Sequence, residues 1–128
     1  FESMYHSSAV VGINSSGLIE AGIVGRPVHT ILDPDFAATQ SGTIHFRYLV
    51  SVGGGLLRVA NGWQEHLQQL RESLQAGGVA RDANRGFVEE FVRPLGLDKQ
   101  ATPIMAESLV RLGSGPRPAP SSPSPIAR

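Results

Sequence analysis

Residues 9–32, AVVGINSSGLIEAGIVGRPVHTIL, set the frame for the rest of the chain. Residues 9–13 are short, apolar and β-branched, which suits a strand covered on both faces. Asn14, Ser15 and Ser16 follow, all residue types whose side chains cap helices. Leu18, Ile19, Ile23 and Val24 recur at helical spacing, and Gly25 and Pro27 stop the helix. Residues 28–32 then read as a second buried strand. The pattern predicts a β-α-β unit with parallel strands and a right-handed crossover.

The turn at 14–16 carries the chemistry. A helix N-terminus offers free amides and a partial positive charge, so it receives anions. Ser15 and Ser16 add hydroxyl donors at the same point. Glu20 stands four residues after Ser16, on the same helix face. A carboxylate there can accept two hydrogen bonds from a vicinal diol. Phosphate at the turn and ribose at Glu20 would together fit a nucleoside diphosphate. A plain cap, with Glu20 complementing the helix dipole, is the competing reading of the same residues.

A chain of 128 residues fits one small domain. With 11 basic and 11 acidic residues the formal charge is zero, so no basic field favours nucleic acid. Cysteine is absent, and His6, His29, His45 and His66 fall at no helical metal-ligand spacing, so no metal site is expected. No apolar run is long enough for a transmembrane helix. The expected compartment is the cytoplasm or the periphery of a membrane. The opening FESMYHSS has no signal-peptide pattern and reads as the last turn of a helix. Two parallel strands need neighbours to form a stable sheet, so the pattern predicts a piece of a longer protein.

Residues 33–42, DPDFAATQSG, leave the carboxyl end of a parallel strand, where open α/β sheets bind ligands. Asp33, Asp35, Thr39 and Gln40 are therefore candidate ligand contacts. Residues 43–52 have strand-like composition but stand where a crossover helix is needed, opened by Ser41 or Thr43. His45 would then lie near the start of that helix, beside the same crevice. Gly53, Gly54 and Gly55 end the element, and residues 56–59 read as a third strand.

Residues 61–76 form the clearest helix, with Asn61 and Gln64 resembling a capping box. Its stripe of Trp63, Leu67, Leu70 and Leu74 is expected on the sheet, with His66 and the glutamines in water. Residues 79–84 read as a polar linker. Phe87, Val88, Phe91, Val92 and Leu95 make a further stripe. Thr102 and Pro103 open a last helix bearing Ile104, Met105, Leu109, Val110 and Leu112. Residues 113–128 hold five of the nine prolines and read as a disordered tail. The fold class expected is α/β: a partial Rossmann-like parallel sheet with flanking helices over residues 1–78, two C-terminal helices over 79–112, then the tail.

The segment GINSSGLIEAGIVGRPVHTIL resembles the donor-side half of two-domain, GT-B-type glycosyltransferases. Ser15, Ser16, Glu20, Ala21, Gly25, Pro27 and Val28 carry the likeness. The plant sugar-donor box of that family has an Asn-Ser-x-x-Glu-Ala step followed by an Asp-Gln pair. Here the step is Ser16 to Ala21, and Gln40 stands without an adjoining Asp. The resemblance implies that the hydroxyl turn holds the donor diphosphate, that Glu20 holds the ribose, and that the loop around Gln40 meets the transferred sugar. Asn14, Ser15, Ser16, Glu20, Gln40 and His45 are then the donor-binding set. The substrate is a nucleotide sugar, and an acceptor domain is the partner. Epimerases of nucleotide sugars and glycerol-phosphate transferases share this half. A non-catalytic α/β interaction module, such as one resembling a response regulator, is the reading from another class.

Overall fold

The computed structural model describes residues 1–115, and its first compact unit spans Phe1–Leu97. A single helical turn, α1 (Glu2–Tyr5), precedes the edge strand β1 (Val10–Val11). Helix α2 (Gly17–Ile23) crosses to β2 (Val28–Ile31), and α3 (Ile44–Ser51) crosses to β3 (Leu57–Ala60). The sheet is parallel throughout, in the order β1-β2-β3. The protein is therefore α/β, with helices flanking a three-stranded parallel sheet and further helices following it. The ambiguous segment after residue 43 is a helix, and Thr43 opens it: its Oγ1 accepts from Phe46 N at 3.2 Å.

Strand register sorts the side chains between two faces. Val10, Val28 and Leu57 stand in one row, and Val11, His29 and Arg58 stand in the next, pointing the other way. The first face carries the apolar core: Leu18, Ala21, Val28, Leu49, Leu56 and Phe87. These come from α2, β2, α3, the approach to β3, and α5 (Arg81–Phe87). A π-helical turn, Val88–Val92, continues α5 and adds Phe91 and Val92 to the same core.

Helix α4 (Trp63–Gln75) covers the second face, turned from expectation: of the expected stripe only Leu70 is half-buried, while Gln64, Gln68 and Gln75 do face water. Trp63, Leu67 and Leu74 are 70%, 56% and 51% exposed, whereas His66 and Ser73 are 4% and 5% exposed. The cause lies in the sheet beneath. That face presents His29 and Arg58, whose burial under leucines would leave polar groups without partners. The polar side of α4 supplies those partners. The capping pair also differs: Glu65, not Gln64, reaches back, with its Oε2 accepting from Asn61 N at 2.8 Å and Asn61 Nδ2 at 3.2 Å.

Residues 79–84 are not a plain linker, because α5 begins at Arg81. Buried Asn84 donates through Nδ2 to Gly22 O at 3.3 Å and Arg26 O at 3.0 Å, closing the C-terminal end of α2. Ala80 N donates to Gly25 O at 2.8 Å. Arg26 reaches back to Gly78 O and to the carbonyl of Tyr5. The glycine run after α3 has a packing reason as well as a conformational one. Gly53, at φ +58°, meets the backbone of Gly86.

The second unit begins at Asp98 and carries α6 (Ala101–Ser114), one residue ahead of the expected Thr102-Pro103 start. None of its described residues is buried, and Met105, Leu109, Val110 and Leu112 are all exposed. The helix runs to Ser114, past the expected start of the tail; residues 116–128 of that tail lie outside the described residues.

Candidate functional site

Three connections leave the carboxyl ends of the strands: residues 12–16, 32–43 and 61–62. In open α/β sheets this edge receives ligands. Asn14, Ser15, Ser16, Gln40 and His45 all sit on or next to it, and Glu20 stands one turn into α2.

These residues divide into two groups. Asn14 and Gln40 are spent inside the protein. Asn14 Nδ2 donates to Thr39 O and to Thr43 Oγ1, both at 2.9 Å, tying the first connection to the second. Gln40 is fully buried; its Nε2 donates to Ile31 O at 2.9 Å and Thr30 Oγ1 at 3.1 Å. Its Oε1 accepts from Asp33 N at 3.4 Å. Gln40, expected as a sugar contact, is placed with its amide holding the loop onto the strand ends. A long polar side chain in a short loop can fold inward and satisfy strand-end carbonyls, which the spacing alone does not reveal.

Ser15, Ser16 and Glu20 form the second group. All three are exposed. Ser16 takes an αR conformation at the N-cap and makes no capping bond through its side chain. Among the described residues neither hydroxyl has a hydrogen-bond partner, nor has the Glu20 carboxylate. The backbone amides are less free than expected. Leu18 N donates to Ser15 O at 3.2 Å and Ile19 N to Ser16 O at 3.0 Å, so 3₁₀-type bonds use up part of the first turn.

Of the remaining candidates, Asp33 and Asp35 are exposed, and Asp33 Oδ1 accepts from Asp35 N at 3.0 Å to cap a short 3₁₀ turn. Thr39 returns its hydroxyl to Phe36 O at 3.1 Å. His45 is half-buried in the first turn of α3, and its Nε2 is buried without a partner. The Oδ1 of Asn14 is also buried and unpartnered. Among the described residues no group of three or more His, Cys, Asp or Glu gathers to hold a metal. Cavities of about 500 and 560 Å³ lie toward the opposite ends of the strands, lined by Gly25, Arg81 and Arg85 in one case and by Pro27, Leu56 and Asn84 in the other.

A second polar constellation was not anticipated. His29, fully buried on β2, contacts Ser73 Oγ through Nε2 at 3.0 Å. Arg58 Nη1 donates to the same Oγ at 3.0 Å, and Arg58 Nη2 pairs with Glu72 Oε2 at 2.8 Å. The ring of His66 stands edge-on to His29, with centroids 6.2 Å apart. Burial, the Arg58 charge and His66 together hold the His29 imidazole down at about 4, from an ordinary 6.5. Arg58 and Gln68 likewise hold the Glu72 carboxyl below its usual range. The signal was present in the spacing: His66, Gln69 and Ser73 lie three and four residues apart, on one helix face.

Comparison with protein-family models, with curated proteins and with solved structures finds no match for this chain. Among the described residues no helix is long and apolar enough to cross a membrane.

Proposed function

We propose that this chain is the donor-binding part of a nucleotide-sugar glycosyltransferase of the GT-B type, acting together with an acceptor domain. One observation carries the reading. At the carboxyl end of β1, Ser15, Ser16 and Glu20 are left open, while the neighbouring Asn14 is locked to Thr39 and Thr43. The turn is thus held in place without using the groups that would meet a ligand.

The two hydroxyls would donate to the diphosphate, and Glu20 would accept from the ribose diol. In transfer, the acceptor oxygen bonds to the anomeric carbon as the bond from that carbon to the diphosphate breaks. The electron pair leaves with the diphosphate, and the acceptor proton passes to a base that none of the described residues is assigned to supply. Hydrogen bonds from Ser15 and Ser16 strengthen as charge builds on the departing oxygen. An epimerase or glycerol-phosphate transferase would use the same donor contacts with different acid/base groups.

Ligand-detected NMR with a panel of nucleoside diphosphates and their sugars tests the reading. Binding by at least one compound, with amide shifts centred on residues 14–20, is the expected result. Glu20→Ala should weaken that binding by about 1–3 kcal/mol, the cost of orphaned hydrogen-bond partners. A panel that moves no amide between residues 12 and 20 overturns it.

The reading as a non-catalytic interaction module has one observation in its favour. Val11 in β1, Ile13 just after it, and Trp63, Leu67 and Leu74 on α4 are all more than half exposed. Self-association or partner capture that survives Glu20→Ala and is lost on Leu67→Glu would favour that module.

A further inference from the structure

Helix α4 is attached to the sheet differently from every other helix in its unit. The apolar core on the opposite face is built from Leu18, Ala21, Val28, Leu49, Leu56 and Phe87, none of them from α4. What α4 buries is polar: His66 and Ser73, set against His29 at 0% exposure. Three atoms in this layer have no partner: His29 Nδ1, His66 Nδ1 and Gln69 Oε1. Two imidazoles therefore stand edge-on to each other beneath α4, beside the partly exposed guanidinium of Arg58.

The groups facing these imidazoles can be named element by element. From β3 comes Arg58, whose guanidinium lies on the same Ser73 hydroxyl that His29 touches. From α4 come Glu72, already paired with Arg58, and Glu65, which accepts from Asn61 and from Gln69 at 3.2 Å. From β1 the facing residue is Val11, which carries no charge. No carboxylate is left to receive an imidazolium. A proton on buried His29 would create a second cation near Arg58, with only the neutral Ser73 hydroxyl and Gln69 amide oxygen at hand to receive it.

We propose that α4 is an acid-released flap, docked on the sheet while His29 is neutral and freed when it takes up a proton, with the apolar core on the far face staying folded. Release would uncover the β2 and β3 surface around His29 and Ala60, opening a sheet face that is closed at neutral pH. The sign follows from linkage. His29 holds its proton only near pH 4 when docked, and near 6.5 when free. Each pH unit lost between those values therefore favours the released form by about tenfold.

Hydrogen-exchange mass spectrometry on the full chain, from pH 7.5 down to pH 4 and corrected for intrinsic exchange, tests this. The expected result is that amides of 63–75 lose at least tenfold protection below about pH 5. Amides of α2 and α3 keep theirs over the same range. The paired variant H29Q/H66Q, checked for native circular dichroism at pH 7.5, should hold α4 protected at pH 4.5. Loss of protection in α2, α3 and α4 at one common midpoint would overturn the proposal, as would a folded H29Q/H66Q variant that still releases α4. Should that variant not fold, the wild-type exchange map decides between local release and global unfolding by itself.

Discussion

Gly53 and Gly86 cross backbone to backbone: a Cβ on Gly53 would fall 2.2 Å from the carbonyl carbon of Gly86, and one on Gly86 would fall 2.4 Å from Gly53 O. The contact sets how closely α5 approaches the loop after α3. Gly53 N also donates to Glu90 Oε2 at 3.1 Å, so the crossing is tied at a second point.

Gly53→Ala meets both a backbone clash and a positive φ. It should cost about 2–4 kcal/mol in urea denaturation. Gly54→Ala is the control. A Cβ there has nothing within 4 Å, although φ is +87°, so only the conformational cost of about 1 kcal/mol is expected. Equal losses at the two positions would show that the crossing itself adds nothing.

Asn84→Ala should lower stability by about 1–3 kcal/mol, because the carbonyls of Gly22 and Arg26 lose their shared donor. Asn84→Asp should cost at least as much, since a carboxylate brings oxygen against those carbonyls. Thermal melts of the two variants check the order.

Gln40→Ala is expected to loosen residues 32–43 and to cost about 1–3 kcal/mol, by removing the partner of Ile31 O and Thr30 Oγ1. Its effect on binding of any nucleoside diphosphate should be smaller than that of Glu20→Ala. Equilibrium unfolding and a ligand titration, run on the same preparations, separate the two effects.

The orientation of α4 is checked from the surface. Leu67→Gln and Leu74→Gln should change stability by no more than about 0.5 kcal/mol, since both side chains are already more than half exposed. Ser73→Val, at a buried position, should cost about 1–3 kcal/mol by leaving His29 and Arg58 short of a partner. A larger loss at Leu67 than at Ser73 would mean that the helix packs the other way round.

Stability should also fall with acidity. The unfolded chain protonates His29 near 6.5 and the folded chain near 4, so the unfolded state binds the extra proton between those values. The contribution is complete above pH 6.5, declines as pH falls, and is lost by about pH 4, for a total of about 3 kcal/mol. Denaturation midpoints for the wild type and His29→Gln, compared at pH 7.5 and 4.5, should converge as the pH is lowered.

The parallel sheet was legible because residues 9–13, 28–32 and 56–59 are short, mainly apolar or β-branched stretches flanked by turn residues, and strand propensity and topology agree there. The helix after residue 43 was legible from chain rhythm, against its own composition. The face of α4 was not, because amphipathic reasoning assumes an apolar partner, and the sheet here offers His29 and Arg58 instead. Asn84 and Gln40 form bonds that were not legible, for one shared reason. Each is a polar residue in an apparent loop, and each turns inward to carbonyls brought close only by the tertiary fold. At the turn, Ser15 and Ser16 were legible as residue types; their exposed, uncapped state follows from the αR entry of Ser16, which the residue names do not fix.

The bonds from Asn84 to Gly22 and Arg26 span 62 and 58 positions. On a ribosome, the end of the first crossover must therefore wait until some sixty more residues have emerged before its carbonyls find their donor. Until then, the edge and middle strands are joined by a helix whose last turn is open to water. Synthesis halted between residues 60 and 84 would leave a nascent chain with all three strands made and no lock, a stage at which a holding chaperone would have most to grip.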